Sequence, residues 1–160
     1  MKQWYVLATR SRAEKKLQCV LQSWKVWNLL PAYEKVRKVQ RRSVVSLLPL
    51  FPGYLIARLN EEQRLQILKT NLALSVYPIL NPRLFLRQLH KIMKVVKTAE
   101  HWRIVQKAGN GNRVKIVNGL LKGLEGRIVS VGDDTLFSVD IDMFGVAVEM
   151  KVSPDDCVAI

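Results

Sequence analysis

The chain has 160 residues, enough for one ordinary domain or two small ones, and its 49% hydrophobic content excludes a largely disordered protein. No apolar run reaches the ~18 residues of a membrane span, and Met1-Lys2-Gln3-Trp4 leads into a strand-like run and not a signal-peptide core, so a cytoplasmic protein is expected. The net charge of +13 is held unevenly: residues 1–95 carry 18 Lys and Arg against 4 Asp and Glu, residues 96–110 three against one, and residues 111–160 five against eight. The first part therefore calls for a polyanion or an acidic partner surface, and the tail has a different job. Cys19 and Cys157 are far apart and no Cys-x-x-Cys pair exists, so both are expected as buried, unpaired thiols, with neither zinc nor redox chemistry.

In chain order, Trp4 to Thr9 is a β-rich run. Ser11-Arg12-Ala13-Glu14 then has the spacing of a capping box, which predicts a helix from about Arg12 with Ala13, Leu17, Val20, Leu21 and Trp24 on its apolar stripe. Pro31–Val39 reads as a second strand and Ser43–Leu48 as a third, with Lys38 to Arg42 as a basic hairpin tip. Extended structure resumes at Tyr54–Leu59. Asn60 and Gln63 repeat the capping signal, predicting a helix over Glu61–Lys69 with Leu65 and Leu68 turned inward. Leu74–Ile79 makes another strand, and Asn81-Pro82 opens a last helix with Phe85, Leu86, Leu89, Ile92, Met93 and Val96 as its stripe. Strand, helix, strands, helix, strand, helix is an α+β order, one mainly antiparallel sheet with helices on a face, and a ferredoxin-like arrangement fits it.

The hydrophobic rhythm lapses from Lys97 to Asn110 and ends in turn-forming Ala108-Gly109-Asn110-Gly111, so residues 97–110 are expected as a linker. Beyond it the period becomes two: Val114 and Ile116, Val129 and Val131, Phe137 to Ile141, Val146 to Val152. Turns at Asn118-Gly119, Gly132-Asp133-Asp134 and Asp142 to Gly145 separate these runs, which predicts a small barrel of about five strands. The domains are thus expected at 1–96 and 111–160.

Three groups of residues carry candidate functions. In Pro49-Leu50-Phe51-Pro52-Gly53-Tyr54-Leu55-Ile56, the Pro-Gly reversal puts Tyr54 and Ile56 on one face of the next strand and Leu55 on the other. If helices leave that face bare, Tyr54, Ile56 and with them Tyr5 or Leu7 would form an apolar docking patch; the alternative is ordinary core. Lys35, Arg37, Lys38, Arg41 and Arg42 crowd a protruding hairpin, where they either track phosphates or are merely solvated. From Gly111 to Arg127, Gly119, Gly123 and Gly126 suit a sharp loop between barrel strands, which is fold chemistry and names no ligand.

Together these strings resemble the two halves of a NusG/RfaH-family transcription elongation factor. Trp4-Tyr5, Arg10, Glu14, Pro31 and Pro49 to Tyr54 are similar to its NGN domain, and Gly111 to Arg127 to its KOW motif. The resemblance implies a ferredoxin-like NGN domain followed by a small all-β, SH3-like KOW barrel. It implies binding to RNA polymerase at the clamp helices through Tyr54 and Ile56, with Leu7 and Tyr5 as further contacts, and contact of the basic hairpin with non-template DNA. Family KOW domains bind NusE, and so the ribosome, or Rho. Here Gly119-Leu120-Leu121 stands where several members have Gly-Pro-Phe, leaving Leu120 and Leu121 as candidate partner contacts. The opening Trp-Tyr-Val-Leu-Ala-Thr-Arg-Ser-Arg-Ala-Glu-Lys-Lys resembles UpxY-type antiterminators of surface-polysaccharide operons. In the RfaH branch the KOW domain can refold as a helical hairpin, whereas the alternating Val114, Ile116, Val146, Val148 and Val152 favour strands.

Catalysis is not expected. His90 and His101 have no companion carboxylates or cysteines in metal or triad spacing, the Asp pairs sit in turns, and no phosphate-binding glycine loop is present, so no metal or cofactor is called for. The alternative reading is a KOW-containing RNA-binding ribosomal or ribosome-assembly protein, against which the net −3 of residues 111–160 argues. A monomer is expected.

Overall fold

A computed structural model describes residues 1–107 and 111–160 and divides into two compact units, Met1–Leu80 and Asn81–Ile160. The expected turn at Ala108–Asn110 lies outside the described residues.

The first unit contains β1 (Gln3–Thr9), α1 (Glu14–Ser23), β2 (Asn28–Leu29), β3 (Ala32–Val39), β4 (Arg42–Pro49), β5 (Tyr54–Leu59), α2 (Glu61–Lys69) and β6 (Ala73–Pro78). Four strands form an antiparallel sheet in the order β2-β5-β1-β6, and among the described residues β3 and β4 pair only with each other. Tyr5, Leu7, Leu55, Ala57 and Leu59 pack with Leu17 and Leu21 of α1 and Ile67 of α2 to make the core. α2 starts as expected, with the Asn60 side chain accepting from the Gln63 amide and the Gln63 side chain accepting from the Asn60 amide. Its inward residue is the fully buried Ile67, whereas Leu65 is 47% exposed, so the expected inward Leu65 is corrected.

The capping box expected at Ser11 does not form. α1 begins at Glu14 behind Ala13, which caps with no side-chain bond, and Arg12 takes a left-handed φ of 59°. β2 was invisible in the sequence because two residues carry no period. Cys19 is exposed and Cys157 half-buried, contrary to the expected burial of both.

The second unit holds α3 (Pro82–Thr98), β7 (Arg103–Gln106), β8 (Asn112–Ile116), β9 (Glu125–Val131), β10 (Asp134–Ile141), β11 (Val146–Lys151) and β12 (Cys157–Ala159), with one-turn 3₁₀ helices at Asp142–Phe144 and Pro154–Asp156. Its strands form one antiparallel sheet in the order β12-β8-β9-β10-β11-β7. Residues 103–106, expected in a linker, are therefore a strand paired with β11, and α3, expected in the first domain, groups with the second unit. α3 lies against β10 and β11, burying Phe85, Leu89, Ile92 and Val95. Phe85 meets Phe144 edge-on at 5.9 Å. Gln88 donates to the Asp142 carboxylate at 2.9 Å and accepts from the Asp142 amide at 3.1 Å. Hydrogen bonds from the Lys107 ammonium and then from Gln88 hold the Asp142 carboxyl below its ordinary range. Among the described residues no helix is long and apolar enough to cross a membrane.

Gly119 and Gly123 have φ of 85° and 91° and serve the loop as expected. Gly126 does not: it lies inside β9, where an added Cβ would sit 2.5 Å from the ring of the fully buried Phe137 and 2.7 Å from the Ser138 carbonyl oxygen. Glycine is needed there for close approach, not for a turn. Gly126→Ala is expected to lower stability by about 1–3 kcal/mol through overpacking, read as a lower urea midpoint at unchanged m.

Candidate functional site

The Pro49–Ile56 string builds a rigid corner. Phe51-Pro52-Gly53-Tyr54 is a type II turn: proline occupies its second position, Gly53 has φ 87°, and the Tyr54 amide donates to the Phe51 carbonyl at 3.1 Å. Leu50 and Phe51 are buried, the Leu50 amide donates to the Pro31 carbonyl at 2.8 Å, and the Gly53 carbonyl accepts from the Thr9 amide at 2.8 Å. The remaining turn amide, that of Gly53, donates at 2.8 Å to Oε1 of Glu14, a buried carboxylate 39 residues earlier. Glu14 thus clamps the turn where the sequence suggested a helix cap. Glu14→Ala leaves that amide unmet and is expected to cost about 2 kcal/mol, measured by chemical denaturation.

What the corner presents is fixed by register. Tyr54 pairs with Ala8, Ile56 with Val6 and Arg58 with Trp4, and Val6 pairs in turn with Tyr77. Directly paired residues share a face. Trp4, Val6, Ala8, Tyr54, Ile56, Arg58 and Tyr77 therefore lie on the sheet face turned away from α1 and α2. Trp27 joins them, its ring 4.6 Å from that of Trp4 and nearly perpendicular to it, and the Arg58 guanidinium lies 5.9 Å from the Trp4 ring. Val6 and Ile56 are buried at the centre, while Tyr54 (38%), Trp27 (47%) and Tyr77 (48%) are exposed around it.

Two of the expected contact residues fall elsewhere. Tyr5 pairs with Ala57 and Leu7 with Leu55, so both point into the core beneath the helices and cannot share a patch with Tyr54. Ile56 is on the expected face but fully buried, which makes it a support for the rings. Sequence reasoning missed Trp27 and Tyr77; the signal available was the aromatic placement two residues apart from apolar partners, legible only with the strand order in hand.

The basic hairpin is a two-residue turn between β3 and β4, with Gln40 and Arg41 both left-handed at φ 48° and 66°. Its five cations do not form one cluster. Register places Lys35, Arg37 and Arg42 on one face, Lys38 on the other and Arg41 in the turn. The face of Lys38 carries the paired, exposed Val36 and Val45 together with Leu47. In the second unit the Gly119 loop is closed by the Gly123 amide donating to the Ile116 carbonyl at 2.7 Å, and it leaves Leu120 at 92% exposure with Leu121 half-buried.

No curated protein matches the chain. Among solved structures, the crystal structure of an MjSpt4:Spt5 complex in conformation B aligns over 98% of this chain and 96% of its own, at 11% identity and a TM-score of 0.30, a likeness too low to add to the assignment. A family model described as "NusG: Transcription termination factor nusG" matches residues 2–139. With the match running through both units and most of the sequence, this chain belongs to the NusG family of non-enzymatic transcription factors.

Proposed function

We propose that this protein binds transcribing RNA polymerase through the sheet face carrying Trp4, Trp27, Tyr54 and Tyr77 and suppresses pausing or termination. The observation that carries the reading is the ring of exposed aromatic side chains around buried Val6 and Ile56 on the face turned away from α1 and α2. Large, stiff rings of this kind suit an apolar helical tip such as the polymerase clamp helices. The strand order β2-β5-β1-β6, joined through α1 and α2, is that of a split βαβ unit, which supports the ferredoxin-like NGN assignment. The meander of β8 to β11 with β12 returning beside β8 supports an SH3-like KOW module.

Binding more tightly to the closed, processive polymerase than to the paused form shifts the population away from pausing. The hairpin is read as the DNA-facing arm: Arg41 occupies a left-handed position that glycine or asparagine would fill at lower cost, and strain retained under a cation fits a role for that cation. Non-template DNA is its proposed ligand. Leu120 is the proposed KOW partner contact, toward NusE or Rho. Action at particular operons, in the manner of UpxY-type regulators, is the finer form of the proposal, and a cytoplasmic monomer its setting. A single-round transcription assay on a reconstituted bacterial elongation complex tests it. Shorter pauses with added protein support it, and unchanged pausing together with no binding to the complex would overturn it.

A further inference from the structure

α3 carries a second, unassigned basic surface. Arg83, Arg87, Lys91, Lys94 and Lys97 recur every three or four residues, and at 100° per residue they fall, with His90, on one third of the helix circumference. Phe85, Leu89, Ile92 and Val95 occupy the opposite side and are buried. Arg83, Arg87, Lys94 and Lys97 are exposed and Lys91 is half-buried. The helix contains no Asp or Glu, and among the described residues none of the five cations is ion-paired. Lys91 also lines a hollow of about 270 Å3 in the same unit, where Arg113 and Arg127 are ion-paired with Glu125 and Asp140, so the unpaired cations are those of α3 itself.

We infer that this face of α3 binds the phosphodiester backbone of a nucleic-acid duplex. Three considerations select that ligand. An anionic membrane would have to hold the helix by charge alone, because its apolar side is already packed on β10 and β11. A protein partner would call for an apolar centre, whereas the middle of this face is Arg87, His90, Lys91 and Lys94, with Leu84 exposed only at its margin. A single strand would call for stacking platforms, and His90 is the one ring on the face. Seventeen residues span about 25 Å, the rise of about seven base pairs, so the row of cations is long enough to follow one strand's phosphates. Gln88 and Phe85 fix the helix to the Asp142–Phe144 turn, so the row is held rigid. Contacts of this kind position without reading sequence.

The full chain is titrated against a B-form DNA duplex, an RNA duplex and single strands of equal length over a range of salt. Its Arg87→Gln/Lys91→Gln/Lys94→Gln variant is compared with a Lys35→Gln/Arg37→Gln/Arg42→Gln hairpin variant, all with matching circular dichroism. The α3 variant is expected to flatten the slope of log K against log salt on duplex DNA by about 2 to 3, since each phosphate contact contributes about 0.9. Loss on both duplexes assigns the face to phosphates in either helical form, and loss on one assigns it to that form. An unchanged slope for the α3 variant, or single strands bound as tightly as duplexes, overturns the inference. Polymerase binding by the aromatic face is a separate property, followed with Tyr54 variants, and stands or falls independently.

Discussion

Tyr54→Ala combined with Tyr77→Ala should weaken binding to a bacterial elongation complex by about thirtyfold or more while leaving the thermal midpoint within about 2 °C. Truncating an interface hot spot costs about 2 kcal/mol or more, and tyrosine is among the residues most often found there. Both rings are 38–48% exposed and lie on one face, opposite the core beneath α1 and α2. The bond from the Tyr54 amide to the Phe51 carbonyl and that from the Gly53 amide to Glu14 do not use the Tyr54 ring. Binding by anisotropy and melting by differential scanning calorimetry, on the same preparations, check the two halves of this prediction. Equal binding by the double variant and the parent would remove the aromatic face from the account.

Leu7→Ala should behave in the opposite way. Leu7 is fully buried among Leu17, Leu21 and Leu55, and deleting its three outer carbons from such a site costs about 2–5 kcal/mol. That is a large share of the 5–15 kcal/mol by which a domain is typically stable. The urea midpoint should fall sharply, with Leu7→Met, which nearly keeps the volume, losing less than about 1.5 kcal/mol. Any loss of polymerase binding by Leu7→Ala should disappear under conditions where the variant is folded. Normal stability together with lost binding would return Leu7 to the docking face.

The contrast between Tyr54 and Leu7 shows how far the sequence could be read. Strong local signals located elements well: Asn60 with Gln63 marks the start of α2, Asn81-Pro82 marks that of α3, and the alternation from Val114 onward marks the strands of the second unit. Local periodicity also put Tyr54 and Ile56 on one side of β5. It could not say which residues of β1 join them, because that depends on the pairing of Tyr5 with Ala57 rather than with Ile56, a one-residue difference that exchanges the two faces. The role of Glu14 is hidden in the sequence for a related reason. Its partner is the Gly53 amide, and a contact 39 residues away outweighs a capping box that looked complete locally. Gly126 looks like a loop glycine in the sequence because the crowding ring, that of Phe137, comes from the neighbouring strand β10. The basic stripe of α3 was present in the residue spacing from the start. It gained meaning only when the opposite face proved to be packed on β10 and β11.

The most direct test of the polymerase-binding face is site-specific photocrosslinking. A benzophenone amino acid replaces Tyr54 in one variant and Leu65, exposed on α2 across the sheet, in another, and each is irradiated in a reconstituted elongation complex. Position 54 should give a crosslink that maps to the clamp helices, and position 65 none there. A clamp crosslink from position 65 with none from position 54 would contradict this assignment.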